Sequence, residues 1–166
     1  MQPKSLREWF NVYEKKTQDK VSIPSEKYKL AYLPTRGFMI YKSLINMLFI
    51  YQVCGDGKFW LDYAELLCAQ MGLSAIGTIC TRPLDAYLRT FGGSVLSEQD
   101  IDGKKRYLCQ DNIGRKVICT HRIMGEKTKI PEYWVTKYLN QKATSSLDDL
   151  KIETGVNKKD DLEIKS

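Results

Sequence analysis

A chain of 166 residues with 43% hydrophobic content is long enough to bury a domain-sized core, and no apolar run reaches the about 18 uninterrupted residues that a membrane-spanning helix needs. The formal charge of +6 favours an anionic ligand or partner without choosing among coenzyme phosphates, nucleic acid and acidic proteins. Five scattered cysteines, odd in number and lacking any Cys-x-x-Cys, together with a single histidine, argue against a disulfide framework and against a zinc site.

The opening MQPKSLREWF has no apolar stretch of the kind a signal peptide carries, so a cytoplasmic protein is expected. Ser5 is placed to cap a first helix whose Leu6, Trp9, Phe10 and Tyr13 recur at helical spacing. A polar loop follows over residues 17–26. Residues 27–33 alternate like a half-buried strand, Pro34-Thr35-Arg36-Gly37 is a turn, and Phe38 to Tyr41 forms the second arm of a hairpin.

Residues 46–82 organise the rest. Met47 to Val53 is an apolar, β-prone run, and Cys54-Gly55-Asp56-Gly57 breaks it. From Lys58 the period becomes helical: Phe59, Tyr63, Leu66 and Leu67 share one face, which Trp60, Ala64, Cys68 and Met71 widen, until Gly72 ends the helix. Leu73 to Cys80 returns to strand, and a crossover helix between two strands makes them parallel neighbours. The loop admits two readings. The free amides of the first helical turn, two glycines and Lys58 can cradle a phosphate. Alternatively, Asp56 caps the helix and itself fills that position, leaving Gly55 and Gly57 to make a tight turn. On the first reading a branched side chain at Gly57 blocks the phosphate and also strains the backbone.

Thr81 and Pro83 open a further helix with Leu84, Tyr87, Leu88 and Phe91 on its apolar face, stopped by Gly92-Gly93. Residues 94–98 and 105–109 flank a turn at Asp102-Gly103, and residues 115–120 form a last strand. Residues 131–139, with Tyr133, Trp134 and Tyr138, read as a short helix. From Asn140 the chain turns polar and aromatic-free, with a transient helix over residues 147–152. The expected organisation is therefore one domain over residues 1–139 and a mobile segment over 140–166. Lys104-Lys105-Arg106, Arg115-Lys116 and His121-Arg122 on neighbouring strands could form a basic nucleic-acid face. No nucleic-acid motif accompanies them, so nucleic acid is not an expected partner.

The order of elements, with Gln52-Val53-Cys54-Gly55-Asp56-Gly57 and Leu84 to Gly93, resembles the GNAT superfamily of acyl-CoA-dependent N-acetyltransferases over residues 25–122. The stretch from Gln52 to Gly57 fits that family's Gln/Arg-x-x-Gly-x-Gly/Ala pyrophosphate loop. The stretch from Leu84 to Gly93 is similar to its helix ending in Tyr, charged residues and Gly-Phe, with Gly92-Gly93 standing where Gly-Phe is usual. The resemblance implies an α/β fold, a mixed and mainly antiparallel sheet with helices on both faces and one parallel strand pair flanking the loop and helix. It implies acetyl-CoA as cosubstrate against Tyr51, Val53, Gly55, Asp56, Gly57, Lys58 and Phe59, and an amine or protein acceptor attacking the thioester directly. Tyr87 is the candidate acid for the leaving thiolate. It stands one residue before the position that alignment on Gly92 gives, so it is read either as that acid or as a core aromatic. The compact Gly-Asp-Gly loop is also loosely similar to acyltransferase-like proteins of phages, which would place the chain in a virion or host cytoplasm. An altered GNAT-like fold serving as a binding or structural module is the alternative to an enzyme.

Overall fold

The structure, a computed structural model, describes residues 2–80, 84–122 and 132–143. It is α/β, with three helices and eight strands among the described residues. The chain divides into two compact units, one ending at Ile79 and the other beginning at Cys80.

The first unit begins with α1 (Leu6–Thr17). Ser5 caps it through a reciprocal pair in which the Ser5 hydroxyl accepts from the Glu8 amide and the Glu8 carboxylate accepts from the Ser5 amide. Next come β1 (Lys29–Leu33), β2 (Gly37–Ser43), β3 (Met47–Gly55), α2 (Gly57–Met71) and β4 (Ala75–Cys80). These strands lie in the order β1-β2-β3-β4. The first two pairings are antiparallel, and β3 with β4 is parallel, as a crossover through α2 requires.

Helices cover both faces of this sheet. Trp9 and Tyr13 of α1 pack on Phe38, Ile40 and Cys54. Tyr41 projects from the opposite side of β2, where burial and then Tyr63 of α2 raise its phenol above the ordinary tyrosine range. The face of α2 that meets the sheet is part of the expected one. Trp60, Ala64 and Cys68 are buried at four-residue spacing, while Leu66 and Met71 are exposed. Small side chains at 64 and 68 let the helix axis approach the sheet, and the Cys68 thiol donates to the Ala75 carbonyl at 3.7 Å.

The second unit holds α3 (Leu84–Phe91), β5 (Ser94–Ile101), β6 (Lys104–Gln110), β7 (Arg115–Arg122) and β8 (Glu132–Lys142), with strand order β8-β7-β6-β5 and every described pairing antiparallel. Asp102 and Gly103, both at positive φ, make the β5–β6 hairpin turn. Leu84, Tyr87 and Leu88 of α3 cover Cys109, Val117, Cys119 and Val135. The expected helix start at Thr81 and Pro83, and the side chain of Phe91, lie outside the described residues.

Residues 131–139 are not a helix. β8 pairs with β7 from Arg122↔Glu132 to Val117↔Lys137 and runs to Lys142, past position 140 where the polar segment was placed. Its residues from Trp134 to Tyr138 are buried on both faces, which erases the alternation that marks a half-exposed strand. The aromatic and β-branched content of Tyr133 to Thr136 is the signal that favours extended backbone there. The helix expected over residues 147–152 lies outside the described residues.

Candidate functional site

The site grows from the end of β3. Ile40 pairs with Gln52 and Tyr41 with Ile50, so Tyr51 is an extra residue, a bulge that twists the strand. The parallel ladder with β4 runs from Met47↔Ala75 to Ile50↔Thr78, where the Thr78 hydroxyl donates to the Ile50 carbonyl at 3.0 Å. Residues 52–55 stay paired to β2 and carry β3 past the end of that ladder, directly into the N-terminus of α2.

Gly55 sits opposite Gly37, both at φ near +105° (106° and 104°). A Cβ on Gly55 would land inside the Arg36 carbonyl, and one on Gly37 inside the Cys54 carbonyl. Close approach of two strands therefore accounts for Gly55. Gly57 is different: it is the first residue of α2, where φ is negative, so no strain is expected from a side chain there. The backbone constraint expected at Gly57 belongs to Gly55.

Asp56 is the N-cap. Its amide donates to the Arg36 carbonyl at 2.9 Å, its Oδ1 accepts from the Phe59 amide at 3.1 Å, and its Oδ2 pairs with Arg36 Nη1 at 2.5 Å. The Phe59 amide, against a smaller opposing effect of burial, and then Arg36 hold this carboxyl below the usual aspartate range. The Arg36 guanidinium also lies over the Phe59 ring, 5.1 Å from its centroid, and the Arg36 carbonyl accepts from the Trp60 indole at 2.8 Å. Lys58 is exposed. Phe59 is half-buried against Trp60 and Tyr63.

Of the residues expected at the coenzyme, Gly55 to Phe59 come together at this corner. Tyr51 and Val53 do not join them as one surface. Tyr51 turns to the α1 side, its ring 5.3 Å from that of Tyr28 and its hydroxyl 3.2 Å from that of Ser22, whereas Val53 projects, exposed, from the other face. Gln52, the first position of the loop pattern, is 3% exposed. Its amide donates to Asp19 and to the Lys20 carbonyl and accepts from the Ser22 amide, stapling the loop after α1. Tyr87 packs in the second unit's core cluster, and its hydroxyl is buried without a hydrogen-bond partner among the described residues. Arg36 was not singled out from the sequence. The available signal was a cation in the turn next to a glycine, far along the chain from the loop it meets.

The basic residues of the second unit do not form one exposed stripe. Lys104 and Lys105 are exposed, Arg106 and Lys116 are buried, and Arg115 is tied to Asp111. Among the described residues no three His, Cys, Asp or Glu side chains gather as metal ligands, and no helix is long and apolar enough to cross a membrane. The cysteines at 54, 68, 109 and 119 are buried thiols outside any disulfide. Comparison of the chain with protein-family models, with curated proteins and with solved structures finds no match.

Proposed function

We propose that the chain is an acyl-CoA-dependent N-acyltransferase of GNAT-like fold that moves an acetyl group from acetyl-CoA to an amine by direct attack in a ternary complex. One observation carries the reading. The bulge at Tyr51 and the early end of the β3–β4 ladder take β3 beyond its parallel neighbour and into a helix N-terminus. A strand that outruns its neighbour can offer amide donors and acceptors to an extended chain of amides, and a helix N-terminus favours negative charge. Acyl-CoA combines an amide-bearing arm with a pyrophosphate. In such a complex the protein contributes mainly proximity and polarisation of the thioester carbonyl by backbone N–H groups. Tyr87, the candidate acid of the resemblance, packs against the second unit's core and carries no part of this reading.

Asp56 favours a second reading: an altered GNAT-like fold, phage-encoded on the loosest likeness, that serves as a binding or structural module. Its carboxylate already occupies the donors a phosphate would use. Calorimetric titration of coenzyme-stripped protein with acetyl-CoA separates the two. Saturable binding by the wild type supports the transferase reading. Absence of binding in both the wild type and Asp56→Asn leaves the module.

A further inference from the structure

The sheet of the second unit is buried on both faces, and α3 accounts for one of them, packing over Val117 and Cys119. Side chains alternate along a strand. The ladders therefore place Arg106 and Leu108 of β6, Lys116 and Ile118 of β7, and Trp134 and Thr136 of β8 on the opposite face. There Leu108, Ile118 and Thr136 are 0% exposed, Trp134 2%, Lys116 3% and Arg106 6%. One layer of strands does not hide its own side chains from water, so this face has a cover. The described helix of the unit lies on the other side.

The chemistry of the face says what suits it. Its centre is apolar, through Leu108, Ile118 and Trp134, and it carries two buried cations, Arg106 and Lys116. The Lys116 ammonium lies over the Tyr138 ring, 4.8 Å from its centroid. Buried cations are kept where carboxylates come close. Among the described residues, the strands turn one carboxylate to this face, that of Glu132, two strands from Arg106 and at the opposite end from Lys116. A fitting cover is thus apolar and acidic together. The chain carries such a stretch in the right place. β8 ends at Lys142, and the Ala143 amide donates to the Gly114 carbonyl at 3.0 Å, beside the start of β7 and so at the Lys116 end. Shortly after comes Leu147-Asp148-Asp149-Leu150-Lys151-Ile152-Glu153. Lys116 pairs with Gln110, four positions from Arg106, so the two cations stand about 13 Å apart along the strands, a distance seven residues can span.

We propose that residues 147–153 dock on this face of their own chain, with Leu147, Leu150 and Ile152 against Leu108, Ile118 and Trp134 and with carboxylates of Asp148, Asp149 and Glu153 at Lys116 and Arg106. The polar segment that composition sets apart from the domain is then the domain's last layer, and the second sheet is covered on both faces as the first is.

Thermal unfolding and hydrogen exchange of the full chain test it. Leu147→Ala with Leu150→Ala should lower the melting temperature by about 5–10 °C, whereas in a segment that stands apart from the domain the same change does nothing. Amide exchange at Leu108 and Ile118 should quicken about tenfold or more. Neutralising the carboxylates together, as Asp148→Asn, Asp149→Asn and Glu153→Gln, should also lower the melting temperature. That loss should shrink in a Lys116→Met background, where one partner charge is already gone. Neither effect should change with protein concentration. A leucine pair that alters neither melting nor exchange overturns the docking and assigns the cover to another part of the chain. An effect that grows on dilution assigns it to a second copy and overturns the intrachain contact. Equal losses with and without Lys116 overturn the pairing of charges across the face.

Discussion

Two aspartates in this molecule do the same chemistry under different solvation. Asp56, at the start of α2, accepts from one amide and one guanidinium. Asp111, at the β6–β7 turn, accepts from the amides of Ile113 and Arg115, from Arg115 Nε at 2.7 Å and from Lys137 Nζ at 3.2 Å. The Asp56 side chain is 27% exposed and that of Asp111 is 0%. An exposed carboxylate that leaves its partners is rehydrated, and so are they. A buried one that is removed takes a counter-charge away from two cations in a medium that solvates them poorly. Burial, more than the number of bonds, decides which carboxylate can leave its partners at little cost and which is fixed structure.

The sharpest way to break this contrast is to make the same change at both. Asp111→Ala should cost about 3–5 kcal/mol, since it breaks a buried ion pair from one side. Asp56→Ala should cost about 1 kcal/mol, the usual loss of an N-cap. Denaturant unfolding of the two variants measures both, and equal losses would refute the distinction. Gly55→Ala comes next. Its new Cβ meets the Arg36 carbonyl, and φ is +106°, so about 2–3 kcal/mol should be lost.

Acid titration separates the two aspartates again. Burial pushes the Asp111 carboxyl up, but the Arg115 amide and side chain, the Ile113 amide and Lys137 outweigh it and bring it down to about 2. A folded-state value below the unfolded one gives stability that is complete above the ordinary aspartate range. It is lost as pH falls from about 4 to about 2, and amounts to about 2 kcal/mol. The Asp111→Asn protein should lack this component of the acid limb when unfolding is followed across that window. An unchanged slope would mean the carboxylate is not held as the geometry indicates.

Much of the fold was legible because single elements carry strong local signals. The Ser5 cap, the Gly72 stop and the parallel pair around α2 all follow from spacing and turn chemistry. β8 was not, because burial on both faces removes the period-two pattern. Of the apolar face read for α2, Trp60, Ala64 and Cys68 are buried while Leu66 and Met71 are exposed, and the small size of Ala64 and Cys68 is what lets the helix pack closely. At the site, the loop and its cap could be read, including the possibility that Asp56 fills its own helix end. The role of Gln52 could not, since its partners lie about thirty residues upstream in a loop with no pattern of its own. Arg36 was missed for the same reason: a long-range contact made by a turn residue leaves no periodic trace.

The smallest expected effect tests the division of labour between the two glycines. Gly57 opens α2 with helical backbone, and alanine adopts that conformation without strain. Gly57→Ala removes freedom from the unfolded chain and should stabilise the protein by about 0.5 kcal/mol, visible as a small rise in the unfolding midpoint. The new methyl group also sits on the first turn of the helix, beside the amides that the proposed phosphate must approach. Stability and coenzyme affinity should therefore move in opposite directions: the variant melts slightly higher and binds coenzyme A more weakly. A loss of stability comparable to that of Gly55→Ala would show that Gly57 carries a backbone constraint after all. A gain in stability with undiminished affinity would show that ligand phosphates keep away from this turn, and that both glycines serve the strand-to-helix corner alone.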